Sequence, residues 1–142
     1  MKEIKFPKGE EPWNEEQVDA LLRIVEDIFH RKDLDALING FTEDCMFRFA
    51  EQPEQHGREA LRRLFEARMS RQKNYRLKKT NLALQGNRLA NMWVGTWEDK
   101  VTGKKMEGHG VEVWVMRDGM IAEWEAAFNV WEAEGERRSA VM

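Results

Sequence analysis

The chain has 142 residues, 42% hydrophobic and 35% charged, with a formal net charge of −3. That balance describes one domain with a real core and excludes a chain built throughout to bind polyanions. A single cysteine, Cys45, excludes an intramolecular disulfide, and no apolar run reaches signal-peptide or membrane length; the expectation is a cytoplasmic protein with no membrane contact.

Residues 1–12 form a polar leader with Pro7, Gly9 and Pro12, expected to be flexible. A first helix follows. Asn14 is a good N-cap, Gln17 stands at the capping-box position, and Trp13 with Val18 matches a hydrophobic staple. Val18, Leu21, Leu22, Val25, Ile28 and Phe29 keep helical spacing. His30, Arg31 and Lys32 place positive charge where the helix dipole favours it. Asp33 is placed to cap a short second helix through Leu34, Leu37 and Ile38, ended by Gly40.

Residues 45–49 read as a strand with Cys45, Phe47 and Phe49 on one side and Met46 and Arg48 on the other. Ala50 to Gly57, with Pro53, reads as a loop. A third helix is predicted from Arg58 to Arg71, with Leu61, Leu64, Phe65 and Met69 as its apolar stripe. Four strands then follow: Tyr75 to Leu84, Leu89 to Glu98, and a hairpin within Glu107 to Val130. No proline occurs after Pro53, which suits uninterrupted ladders. The tail at 134–142 is charged and expected to fray, and the whole of 1–142 reads as one domain. The order predicts an α+β fold, with three N-terminal helices packed on one face of a mainly antiparallel sheet.

The hairpin turns at Asp118-Gly119, a pair suited to positive φ at both central positions of a type I′ turn. With those two residues as the whole loop, Glu112 faces Glu125, Trp114 faces Glu123 and Val113 faces Trp124. One face is then apolar (Val111, Val113, Val115, Ala122, Trp124, Ala126, Phe128). Two opposed glutamates repel. A sheet tolerates them in solvent, around a cation, or with one carboxylate protonated for a purpose.

Several segments together resemble a family: Glu26-Asp27 with Asp33, residues 44–48 (DCMFR), 57–61 (GREAL), 74–79 (NYRLKK), 86–89 (GNRL), 97–99 (WED), 110–114 (GVEVW) and 124–129 (WEAAFN). Spanning roughly Glu16 to Val130, they resemble the nuclear transport factor 2-like, or SnoaL-like, superfamily. They are most similar to a subfamily of small proteins whose biochemical role is not established. The resemblance implies a curved sheet wrapped over helices around a conical pocket. Members include ketosteroid isomerases, scytalone dehydratases, epoxide hydrolases, polyketide cyclases and non-catalytic binding domains. The isomerases' first-strand carboxylate position is matched here by Phe49, which cannot take a proton, while their other pocket acid is matched by Glu112. Asn129 matches a position where cyclases and dehydratases carry Asp or Asn, and Glu125 matches the subfamily pattern.

Patterning alone buries Val111, Val113, Trp124 and Phe128 under the helices and leaves both glutamates in water. The resemblance instead turns Glu112, Trp114, Met116, Glu125 and Asn129 toward the pocket and puts the apolar row outside, which requires a partner copy. The second reading is adopted: Glu112, Glu125 and Asn129 as catalytic candidates, with Phe47, Phe49, Trp93, Trp97, His109, Trp114 and Met116 lining the pocket. His109 stands between Gly108 and Gly110, which admit a close approach. His30 reads as a dipole-compensating helix end and Cys45 as a small buried hydrophobe. No metal-ligand spacing, nucleophile motif or cofactor fingerprint is present, so no metal and no cofactor are expected. The cations Arg58, Arg62, Arg63, Arg68, Arg71, Arg76, Lys78 and Lys79 are interleaved with Glu59 and Glu66 and read as a solvated face rather than a nucleic-acid surface.

Two functions follow. In one, a pocket enzyme of isomerase, dehydratase or cyclase type acts on a small apolar oxygenated molecule, with Glu112 and Glu125 dividing acid and base roles. In the other, the same pocket is a non-catalytic ligand-binding module or a vestige within a homodimer formed through the sheet.

Overall fold

The computed structural model of the protein describes residues 3–135. Asn14 caps α1 (Glu15–Arg31) through a complete capping box, its side chain accepting from the Gln17 N–H while the Gln17 side chain accepts from the Asn14 N–H. The helix ends at Lys32 in the left-handed region, and Asp33 caps the short α2 (Leu34–Asn39) by accepting from the Ala36 N–H at 3.0 Å. The chain then runs through β1 (Phe41–Phe49), β2 (Gln55–His56), α3 (Arg58–Arg71), β3 (Gln72–Gln85), β4 (Arg88–Asp99), β5 (Lys105–Arg117) and β6 (Met120–Glu132). The residues of α1 that keep helical spacing, Val18 to Ile28, are the ones it buries.

The six strands form one sheet in the order β2-β1-β6-β5-β4-β3, antiparallel throughout except for the parallel β1–β6 pair. The α+β architecture is as expected, with three helices against one face of a curved, unclosed sheet. Two details differ. The segment read as a loop contributes the two-residue β2, which pairs with Met46 and Phe47. The first strand also begins at Phe41, four residues before Cys45.

The leader forms no helix or strand over residues 3–12, yet it is tied down. Phe6 stacks on Trp13 with ring centres 5.2 Å apart. The Gly9 N–H donates to the Asp118 carboxylate at 2.7 Å, and the Asp118 N–H donates to the Gly9 carbonyl at 2.9 Å. Of the tail expected to fray, 136–142 lie outside the described residues.

The register of the β5–β6 hairpin departs from expectation in a way that decides the site. The Asp118-Gly119 turn has positive φ at both residues, 54° and 74°, as the pair demanded. Arg117 pairs with Met120 and Met116 with Ile121, as the two-residue loop requires. Then Ala122 is bulged out, and Val115 pairs with Glu123. From there on the partners are one residue out from those expected: Trp114 faces Trp124, Val113 faces Glu125 and Glu112 faces Ala126. A one-residue slip turns every later side chain of β6 to the other face. The two glutamates therefore do not face each other. Without the bulge, burying Ile121 would also bury Glu123 and Glu125. With it, Ile121, Trp124 and Ala126 are all buried and both glutamates are exposed.

Each of the two faces expected for the hairpin is thus half right. The helix-facing side combines Glu112, Trp114 and Met116 of β5 with Trp124, Ala126 and Phe128 of β6; the convex side combines Val111, Val113 and Val115 with Glu123, Glu125 and Asn129.

Candidate functional site

Between the helices and the concave face lies a cavity of about 280 Å³. Its wall is largely apolar, with Leu21, Val25 and Ile28 of α1, Phe65 of α3, and Trp93, Trp114 and Trp124 of the sheet. Among the described residues, three charged side chains reach it: Lys79, Glu112 and Arg68.

Lys79 and Glu112 form an ion pair whose side chains are 4% and 8% exposed. Alternation places them: Tyr75, Leu77 and Lys79 share the inner face of β3, and Glu112 shares that of β5 with Trp114. Between them runs β4, whose Asn91 pairs directly with Glu112. The Lys79 ammonium donates to Glu112 Oε1 and, at 3.1 Å, to Asn91 Oδ1. The other carboxylate oxygen accepts from Trp124 Nε1 at 2.8 Å. Lys79 Nζ also lies 5.1 Å from the Trp114 ring centre, within cation–π range. The backbone of Lys79 is fixed too, its N–H donating to Glu26 Oε2 at 2.7 Å and its carbonyl accepting from Arg23. A buried pair survives desolvation only with such additional bonds on each partner.

Arg68 projects from α3 one turn beyond Phe65, its guanidinium 5.0 Å from the Phe49 ring centre and 5.8 Å from that of Phe65. Burial pulls its pKa below the ordinary arginine value, with the fields of Tyr75 and Glu112 opposing. Tyr75, nearby on β3, is pushed up to about 12, chiefly by burial.

Glycine makes part of this wall possible. A Cβ on Gly110 would sit 2.3 Å from Trp93 Nε1 and 2.8 Å from the Phe128 Cβ, so the Trp93 indole lies flat over β5 only because that position is bare. The close approach expected at Gly108 and Gly110 is thus made by Trp93.

Of the residues that the sequence singles out, the structure brings Glu112, Trp93 and Trp114 to the cavity. Phe47 and Met116 are fully buried in the packed core beneath it, and Phe49 packs on Trp124, Phe128 and Arg68. Trp97 joins a second cluster against Tyr75, ring centres 5.7 Å apart. Glu125, Asn129 and His109 are corrections, because all three are exposed on the convex face, where His109 pairs with Asn129. Glu125 there faces Arg48 at 3.5 Å. The bulge at Ala122 is the cause for the two β6 residues. For His109 the cause is strand alternation, which turns it away from the face that carries Glu112.

Lys79 and Arg68 are the residues that sequence reasoning misses, since charge patterning assigns both to a solvated face. Both carry a signal. Lys79 continues the Tyr75–Leu77 alternation, and Arg68 stands three residues after Phe65 and seven after Leu61, on the apolar stripe of α3. His30 is more than a helix end as well: its Nε2 accepts the Leu77 N–H at 3.0 Å and ties α1 to β3.

A family model described as SnoaL-like domain matches residues 13–124. No curated protein matches the sequence significantly. Among solved structures, the chain is similar to a candidate polyketide cyclase from Xanthomonas campestris pv. campestris, with 21% identity and a TM-score of 0.70 over 82% of this chain and 93% of that one. It is similar to a candidate isomerase from Bacillus subtilis, with 18% identity and a TM-score of 0.72 over 82% and 90%. It is also similar to an LEH-like epoxide hydrolase from M. tuberculosis, with 15% identity and a TM-score of 0.62 over 80% of each chain. At these identities the likeness establishes the fold.

Proposed function

This chain belongs to the SnoaL-like family, and from that premise we propose that it binds a small, largely apolar, oxygen-bearing molecule in the cavity between its helices and sheet. Lys79 and Glu112 form the acid–base centre of that site, in chemistry of the isomerase, dehydratase or cyclase type. The observation that carries this reading is the placement of a closed ion pair at the wall of an otherwise apolar cavity. Such a pair is weak support for stability, because apolar residues of similar volume serve a core as well or better. In a pocket it positions an ammonium donor and a carboxylate acceptor within reach of one substrate oxygen. That fold neighbours are named for cyclase, isomerase and epoxide hydrolase chemistry supports the same direction.

A second reading, non-catalytic binding, is favoured by one observation. Both oxygens of Glu112 already hold a donor, from Lys79 and from Trp124. The two readings separate in one experiment. Oxygenated alicyclic compounds are titrated while the fluorescence of the cavity tryptophans is followed, and hits are assayed for conversion with wild type and Glu112→Gln. The acid–base reading expects Glu112→Gln to keep binding within a few-fold while conversion is lost. Binding without conversion in the wild type supports the module, and the absence of any cavity ligand defeats both.

The convex face carries Val94, Val111 and Val113, each at least 41% exposed. Adjacent valines of this kind are suited to a second copy of the chain, and a homodimer through this face is part of the proposal. Sedimentation should give twice the monomer mass, and Val111→Glu should halve it without unfolding. The buried thiol of Cys45 suits a cytoplasmic setting, and no helix among the described residues is long and apolar enough to cross a membrane.

A further inference from the structure

The charges on the cavity wall do not balance. Lys79 and Glu112 cancel, and Arg68 leaves the lining with one net positive charge. The Arg68 guanidinium is half-buried, rests on the faces of Phe49 and Phe65, and has no hydrogen bond or ion pair among the described residues. A guanidinium carries five N–H donors in a planar fork shaped for a carboxylate, and partial burial without a counter-ion disfavours its charge. A second donor on the same wall is also unmatched: Trp114 Nε1 is buried without a partner, on a residue 3% exposed. Glu112, by contrast, has a donor on each oxygen. The free capacity of these side chains is for an acceptor.

Resting on the pocket reading above, we infer that the molecule this cavity takes is an anion, a carboxylate carried on an apolar ring or chain and seated on the Arg68 guanidinium. A carboxylate matches the single uncompensated charge and the bidentate fork. A phosphate dianion does not, because a second free cation is missing from the lining among the described residues. The apolar remainder of the ligand meets the aromatic wall, and its carboxylate ends within the field of the Lys79–Glu112 pair. A site of this kind discriminates strongly between a carboxylate and a neutral group of the same shape, because only the anion relieves the stranded guanidinium.

The test uses matched pairs: cyclohexanecarboxylate with cyclohexanecarboxamide, and 2-naphthoate with 2-naphthamide. Affinities are measured by calorimetry for wild type, Arg68→Gln and Arg68→Lys, with fold checked by amide NMR spectra. In the wild type each carboxylate should bind about tenfold or more tighter than its amide, a preference of the size expected for a charge-assisted pair. The preference, taken as the ratio of acid to amide affinity within each variant, should fall to within about twofold in Arg68→Gln and survive in part in Arg68→Lys. Amides that bind the wild type as tightly as the acids overturn the anion seat and leave the pocket reading standing. So does a carboxylate preference that Arg68→Gln and Arg68→Lys both retain in full. Phenyl phosphate binding more tightly than benzoate overturns the carboxylate class. Failure of every acid and every amide to bind overturns the seat together with the pocket reading beneath it.

Discussion

Glu112 and Glu125 lie on neighbouring strands of one hairpin, each beside a cation, yet they are opposite cases. The Glu112–Lys79 pair is 8% and 4% exposed and is held by Asn91 and Trp124 as well. The Glu125–Arg48 pair is 64% and 51% exposed, 3.5 Å apart, with Arg48 shared at 3.9 Å with Glu54. The same chemistry in water is nearly free of consequence, because solvent competes for both charges. Under the helices it fixes the position and neighbours of both groups, and removing either one alone leaves a charge without compensation. A carboxylate's role in this fold follows from which face of the sheet it occupies; alternation along β5 sets that face for Glu112, and one bulged alanine in β6 sets it for Glu125.

The sharpest way to break the contrast is to remove one buried partner at a time. Lys79→Met leaves Glu112 with only the Trp124 N–H, and Glu112→Ala strands the ammonium. Each should cost about 3–5 kcal/mol in urea unfolding. The double change Lys79→Met with Glu112→Gln keeps an acceptor for Trp124 and removes both charges, so it should recover most of the loss. If it recovers nothing, the pair contributes more than mutual compensation.

The next test concerns the wall rather than the charges. Gly110→Ala places a methyl group 2.3 Å from Trp93 Nε1. The indole must move, and because Phe128 closes the other side it moves into the cavity. The expected cost is about 1–3 kcal/mol, with a shift in tryptophan emission. On the convex side, where Val111 is 41% exposed, Val111→Ala should cost well under about 1 kcal/mol.

Much of the fold is legible in the sequence because it rests on local, redundant signals. The Asn14 cap, the α1 stripe and the Asp118-Gly119 turn each stand where spacing puts them. The site is legible in part. Lys79 and Arg68 sit on apolar periodicities, and a charged residue in such a position reads as solvent-facing because most are. The register error has a different origin. A turn fixes pairing only until the first irregularity, and in β6 the apolar positions change parity between Ile121 and Trp124. That change is itself the trace of a bulge, since no unbroken strand can bury both.

Tyr75 sharpens the comparison by pH. It sits on the inner face, 6% exposed, and its phenol is pushed up from 10.0 to about 12. A raised folded pKa means that the native state keeps its proton where the unfolded chain loses it. The stability it contributes is complete below pH 10 and is lost as pH rises toward 12. Against Tyr75→Phe, the wild type should therefore fall behind by on the order of 1 kcal/mol near pH 11, while their difference stays flat between pH 7 and about 9. A flat difference across the whole range would mean that the phenol ionises as freely folded as unfolded.

The smallest expected effect is the most informative about the hairpin. Glu125→Gln removes a charge that the two-residue turn, read without a bulge, would set directly against Glu112. In that register the change would relieve a repulsion between two carboxylates, raise stability and alter whatever the cavity binds. In the bulged register Glu125 points to solvent on the convex face and meets only Arg48. Arg48 keeps Glu54 as a second partner, so the loss is further cushioned. The expected change is then within about 0.5 kcal/mol, smaller still at 0.5 M salt because exposed pairs are screened. Cavity ligands found with the wild type should bind unchanged. A gain in stability beyond that range, or an altered ligand affinity, would place Glu125 on the same face as Glu112 and remove the bulge at Ala122 from the solution structure.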